Sequence, residues 1–232
     1  MNLSVICWRW GKLFGPEYVN RLRSMLARHL QIPHRLYCIT DDRRGLDPEV
    51  GYFAMPTWLA DTPRCRRRMQ QFSGEFDWIF GPRILSIDLD VVIVGNITPL
   101  VMRTEPIVGW RVGYANMICG SLLLWDAGAL DGLWRAYMAD REGFPVRAQP
   151  KGVGSDQAML NLWLKSQPPI AEWTERDGIV NYFGAGYKRF EHLGVGPNQQ
   201  TLPPGARMVV LGSADKSAMD NGDAPWIREH WR

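Results

Sequence analysis

The stretch Ile84–Val94, ILSIDLDVVIV, is aliphatic and rich in β-branched residues except for one serine and two aspartates that stand one residue apart. A run of this kind predicts a strand buried on both faces, as found inside parallel or mixed sheets. Ionised carboxylates there cost several kcal/mol each unless something compensates them, and side chains at i and i+2 of a strand point the same way. Asp88 and Asp90 are therefore expected to form a pincer. A hard divalent cation, Mn²⁺ or Mg²⁺, held against a diphosphate would supply the missing charge. The plain alternative is a strand end at which both acids face solvent.

With 232 residues and 46% hydrophobic content, the chain can bury a large core, and the sequence predicts one domain over residues 1–232. A net charge of +3 does not announce a nucleic-acid binder, although it is compatible with an anionic substrate. No apolar run is long enough for a membrane span, and Met1–Cys7 lacks the basic region and cleavage site of a signal peptide, so a cytoplasmic location is expected. Cys7, Cys38, Cys65 and Cys119 are widely separated and fit buried thiols better than a disulfide framework or a zinc site.

Leu3–Trp8 predicts a first, central strand whose carboxyl end carries Trp8, Arg9 and Trp10, and ligands of open α/β sheets bind at that edge. A helix with Pro16 near its start follows, its apolar face formed by Val19, Leu22, Met25, Leu26 and Leu30. His34–Thr40 predicts a second strand ending in Asp41 and Asp42. These acids could meet a ribose or base, or simply begin a turn. Thr62–Phe72 predicts a helix with an apolar stripe of Cys65, Met69, Phe72 and, beyond it, Phe76. At 100° per residue Arg67 falls opposite the stripe and Arg68 on its border, so Arg68 is the arginine expected to turn inward, toward a diphosphate. Arg64, Arg66 and Arg67 fit a solvated face.

Downstream, Asn116 precedes Cys119-Gly120-Ser121 and the apolar run Leu122–Trp125, where the glycine would allow close approach of a ligand. A helix over Ala129–Met138 comes next. Asp156-Gln157 then opens another helix, where Asp156 could serve the helix dipole or contact sugar hydroxyls. Met208–Leu211 predicts a late strand. Most of the eleven tryptophans are expected in the core, with Trp8, Trp10, Trp226 and Trp231 as candidates for stacking on a base or sugar.

Taken in order, Cys38–Asp42, Arg68-Met69, Leu85–Asp90, Asn116 with Leu123–Gly128, and Ser155-Asp156-Gln157 resemble small bacterial and phage glycosyltransferases of the GT-A fold, and are most similar to relatives of glycosyltransferase family 8. The resemblance spans nearly the whole chain. It implies an α/β, Rossmann-like nucleotide-sugar-binding fold with a mixed central sheet flanked by helices. It also implies metal-dependent transfer of a sugar, with retention, from a UDP-sugar to an acceptor. Asp88 and Asp90 would hold Mn²⁺ or Mg²⁺. Trp8, Trp10, Asp41, Asp42, Arg68, Leu89 and Lys216 would contact the donor, and Asn116, Asp156 and Gln157 would line the sugar and acceptor cavity.

The family usually closes with a His-Gly-x-x-Lys segment whose histidine is a third metal ligand. Here Gly212–Lys216 keeps the lysine and lacks the histidine, so Asp215 or a water is expected in its place. A noncatalytic nucleotide-sugar binder and a nucleotidyltransferase are the alternatives. The second would need a third acid or a glycine-rich phosphate loop near the start, and neither is evident. A saccharide and a hydroxymethylated base of phage DNA are both open as acceptors, and Arg43, Arg44, Arg64, Arg66 and Arg67 favour an anionic one.

Overall fold

The computed structural model describes residues 3–59, 61–113, 115–149, 154–183, 194–196, 199–211 and 216–232. The chain runs through β1 (Leu3–Arg9), α1 (Pro16–His29), β2 (His34–Thr40) and β3 (Gly51–Ala54). Two 3-10 segments, Thr57–Leu59 and Arg64–Phe72, lead to α2 (Gly74–Phe80), β4 (Arg83–Ile87), β5 (Val91–Ile93) and α3 (Thr98–Val101). After these come β6 (Ile107–Val112), β7 (Met117–Asp126), α4 (Asp131–Ala139), α5 (Gly143–Ala148) and α6 (Asp156–Leu164). The last described elements are β8 (Ala171–Trp173), a 3-10 turn (Glu175–Asp177), β9 (Ile179–Asn181), β10 (Met208–Val210), α7 (Lys216–Asn221) and α8 (Pro225–His230).

Seven strands form a mixed central sheet in the order β3-β2-β1-β4-β7-β6-β8. The first four are mutually parallel, whereas β7 runs antiparallel to both β4 and β6. This is an α/β architecture flanked by helices. The order β3-β2-β1-β4 is that of a doubly wound sheet, in which successive crossovers leave β1 in opposite directions and open a crevice beyond the carboxyl ends of β1 and β4.

Both faces of the sheet are covered, which explains why its inner strands read as unbroken apolar runs. Along β1, Val5 and Cys7 enter the core on one face with α1, the small sheet and α8. Ile6 and Trp8 enter the other with the Arg64–Phe72 segment, α2, α4 and α6. The alternation follows from the two-residue period of a strand. Cys7 and Cys38 face each other across β1 and β2 as free thiols. Among the described residues no helix is long and apolar enough to cross a membrane.

The Ile84–Val94 run is not one strand. Its first part is β4 in the large sheet, and its last part is β5 in a three-stranded sheet ordered β5-β10-β9. The chain changes sheets over Asp88-Leu89-Asp90. Two carboxylates could not be kept within a dry, two-sided ladder, and the crossing between sheets puts them where the strand has just ended. Asp88 N–H still reaches the Ser121 carbonyl (3.0 Å), and the Asp90 carbonyl accepts from Leu211 N–H (2.9 Å), so both ends of the link are tied down.

Three of the tryptophans proposed for stacking belong to the core instead. Trp226 lies in α8, and Trp231 follows it with its ring edge-on to Tyr18 at 4.9 Å; both are buried. Trp8 is buried as well. Its indole stacks on Phe76 (6.1 Å between centroids), and its N–H donates to Gln71 Oε1 at 3.0 Å, so neither ring face nor polar edge is left for a ligand.

Candidate active site

The carboxylates gather at the carboxyl end of β4, beside the crevice between β1 and β4. The 3-10 winding of Arg64–Phe72 places every third residue on one side. Cys65, Arg68 and Gln71 therefore share a face, and Arg68 is turned inward as its position on the border of the apolar stripe predicts, although the segment is not an α-helix. Its side chain is 5% exposed.

Arg68 meets three protein groups, two by hydrogen bonds and one by charge alone. Nη1 donates to Asp88 Oδ1, Nη2 donates to the Gly120 carbonyl at 2.6 Å, and Nε lies 3.2 Å from Asp156 Oδ2. Within the chain the guanidinium stands against two carboxylates, partners that its sequence position did not announce. Burial by itself would lower the guanidinium pKa, but Asp156 and then Asp88 hold it above its ordinary value.

Gly120 makes the arrangement possible. Between Gly109 and Trp110 of β6 the pairing with β7 jumps from Leu123 to Cys119, so Gly120, Ser121 and Leu122 have no partner in the β6–β7 ladder. The Gly120 carbonyl is free to accept from Arg68, and its N–H donates to Gln157 Oε1 at 2.8 Å. A Cβ here would lie 3.3 Å from Gln157 Cβ and 3.4 Å from Asp156 Oδ2. The close approach this glycine permits is that of α6, not of a ligand.

Asp156 and Gln157 come in on the first turn of α6, whose N-cap Ser155 accepts from Ala158 N–H at 3.1 Å. Asp156 is buried. Burial raises its pKa above the usual carboxylate range, against the pull of Arg68. The helix N-terminus and Arg68 together make an ionised carboxylate tenable at this depth.

Asp90 is 7% exposed, and its Oδ1 is buried with no hydrogen-bond partner among the described residues. Burial, reinforced by the charge of Asp88, pushes its pKa up to about 7. Asp88 is more open, with 24% of its side chain exposed. A buried acceptor without a donor, one residue away from a second carboxylate, fits a hard divalent ion: Asp88 and Asp90 would hold it. Among the described residues no group of three His, Cys, Asp or Glu side chains is placed to hold a metal. Asp215, expected as a third ligand, lies outside the described residues.

The remaining predicted residues fall in three places. Trp10 stays at the carboxyl end of β1, half-buried, with the Arg67 guanidinium 5.4 Å from its ring centre. Asp41 also remains at this edge, its Oδ2 accepting from Gly11 N–H at 3.1 Å. Asp42 is a turn residue: Arg44 grips its carboxylate with both Nε and Nη2 and holds its pKa down at about 2. Leu89 is buried in the core on the α1 side of the sheet, so its side chain anchors the link between the two aspartates and does not present itself to a donor. Lys216 starts α7, with Nζ 2.5 Å from Asp220 Oδ2 and 4.6 Å from the Tyr18 ring centre. Asn116 occupies the β6–β7 turn in the left-handed region (φ 47°), where its Oδ1 accepts from Arg111 at 3.2 Å.

No protein-family model matches the chain, and no curated protein matches it.

Beside the carboxylate cluster lies a cleft of about 640 Å³, bounded by the β6–β7 turn, α6 and the approach to β8. Gln157 lines it, and thus stands between the cleft and the Gly120–Arg68 cluster. Asn116 lines it too. Arg111, Arg147, Lys165 and Glu172 also contribute, and nothing in the sequence marked them: they come from separate elements and match no spacing rule.

Proposed function

We propose that the chain is a metal-dependent glycosyltransferase of GT-A type, related to family 8, which moves a sugar from a nucleotide-sugar, expected to be a UDP-sugar, to an acceptor. The observation that carries this reading is the buried Asp90 oxygen, which has no hydrogen-bond partner among the described residues, next to Asp88 at the carboxyl end of β4, beside the crevice where doubly wound sheets take nucleotides. When bound there, a divalent cation would offset the charge of the departing diphosphate.

The protein's own groups do the rest by positioning. Trp10 and Asp41 stand at the edge where the nucleoside would lie. Arg68 bonds Asp88 and stands against Asp156, which fixes both carboxylates in place. Asp156 and Gln157 are held on one helical turn, and Gln157, which lines the cleft, would orient the sugar and the incoming hydroxyl. Retention is the stereochemistry expected of the family.

The test is nucleotide release from a panel of UDP-sugars with Mn²⁺ or Mg²⁺. Stimulation by metal, abolished in Asp88→Asn and Asp90→Asn with the fold intact, is expected. Release that is absent, or unaffected by EDTA and by both substitutions, overturns the reading. A noncatalytic nucleotide-sugar binder is the second possibility. It is favoured by the engagement of Asp88 with Arg68 and by the lack of a third ligand among the described residues. Tight metal-dependent UDP binding without release from any UDP-sugar would select it.

A further inference from the structure

The cleft beside α6 carries an asymmetry of charge that the carboxylate cluster does not explain. Three cations line it, Arg111, Arg147 and Lys165, against one acid, Glu172. Arg111 and Glu172 cancel each other in a two-pronged pair made by Nε and Nη2. Arg147 is partly offset by Asp140, at 2.5 Å, with 59% of its side chain exposed. Lys165 is exposed at the C-terminal end of α6 and makes no ion pair among the described residues. The excess positive charge of the cleft therefore comes from Arg147 and Lys165.

The rest of the lining has the chemistry of a sugar site. Pro168, Pro169 and Ile170 supply an apolar side against which the C–H face of a pyranose can lie. Asn116, Gln149 and Gln157 line the same space, and Gln157, whose Oε1 accepts from Gly120 N–H and whose Nε2 donates to Met117 Sδ, keeps one N–H and one lone pair to meet hydroxyls. The volume is that of a small ligand and not of a duplex.

We infer that this cleft is the acceptor site, and that it selects a saccharide bearing an anionic substituent, a phosphate or a carboxylate, through Lys165 and Arg147. This assignment rests on the glycosyltransferase reading for the acceptor's role, but the binding it requires does not depend on donor or metal. Gln157 gives the geometric link, since it lines the cleft while bonded to the Gly120 backbone that also receives Arg68. An anion held by these cations would leave the sugar's remaining hydroxyls to meet Gln157.

Calorimetry on the full chain in EDTA, without nucleotide, tests it with glucose 6-phosphate, glucuronate, glucose and inorganic phosphate as probes. At least one of the two anionic sugars is expected to bind fivefold or more tightly than both glucose and inorganic phosphate; which of them does so distinguishes phosphate from carboxylate. The Lys165→Ala/Arg147→Ala variant should reduce that sugar to the level of glucose. Equal binding of all three sugars, inorganic phosphate binding as tightly as the anionic sugars, or unchanged binding in the variant overturns the inference. Failure of metal-dependent nucleotide release would instead overturn the glycosyltransferase reading while leaving these binding results standing.

Discussion

Arg68 Nε lies 3.2 Å from Asp156 Oδ2, and both side chains are 5% exposed. The same guanidinium also bonds Asp88 and the Gly120 carbonyl, so a single buried cation joins the Arg64–Phe72 segment, the end of β4, β7 and α6. Removing one member of a buried ion network leaves the others as uncompensated charges, which costs about 3 to 5 kcal/mol. Arg68→Met should accordingly destabilise the protein by about 3 kcal/mol in urea denaturation. The double variant Arg68→Met/Asp156→Asn should recover part of that loss, because the pair is coupled. Additive effects of the two substitutions would show that the contact is not an energetic one.

Asp90 predicts an unusual pH dependence for the metal-free protein. Its folded pKa of about 7 lies above that of an unfolded chain, about 4. Between these values the native state holds a proton that the unfolded state has released, so stability falls as pH rises. The penalty is absent below about pH 4 and complete above about pH 7. Asp90→Asn removes it. In EDTA the variant should melt above the wild type at pH 8 and together with it near pH 4, and a divalent ion should raise the melting temperature of the wild type only. Parallel pH profiles for the two proteins would exclude the assignment.

Gly120→Ala tests the seat of α6. The new methyl meets Gln157 Cβ and Asp156 Oδ2 at 3.3 and 3.4 Å, where one neighbour is anchored near the helix backbone. Overpacking of this kind costs about 1 to 3 kcal/mol. Gly113→Ala is the control, since its nearest neighbour is the tip of the Glu175 side chain, which can swing aside; its cost should stay within about 0.5 kcal/mol. Equal losses, measured by chemical denaturation, would mean that Gly120 matters only for backbone freedom.

Trp8→Phe separates a core role from a ligand role. It keeps the ring stacked on Phe76 and removes the N–H donated to Gln71, whose Oε1 retains a hydrogen bond from Ser86 (3.1 Å). The expected cost is about 1 kcal/mol of stability. Nucleotide affinity per folded molecule should not change. A loss of affinity without loss of stability would return Trp8 to the binding surface.

β1, α1 and β2, the coarse α/β class, and the two carboxylates that interrupt an apolar run are all legible in the sequence. Hydrophobic period and helix caps are local properties, and charge inside an apolar run is conspicuous wherever the chain goes. Arg68 was also legible, because its place beside the Cys65–Met69–Phe72 stripe points it inward in either an α or a 3-10 winding. Tertiary structure alone decided what Arg68 meets, since Asp156 and the Gly120 carbonyl arrive from distant elements. It decided that ILSIDLDVVIV divides between two sheets, because strand propensity does not encode which partner a strand will find. It placed Trp8 inward, since a residue at a strand's end is exposed or buried according to what packs over that end, here Phe76 and Gln71. The cleft, too, is a product of assembly: its cations stand on β6, α5 and the end of α6, and only packing gives their charges a common space.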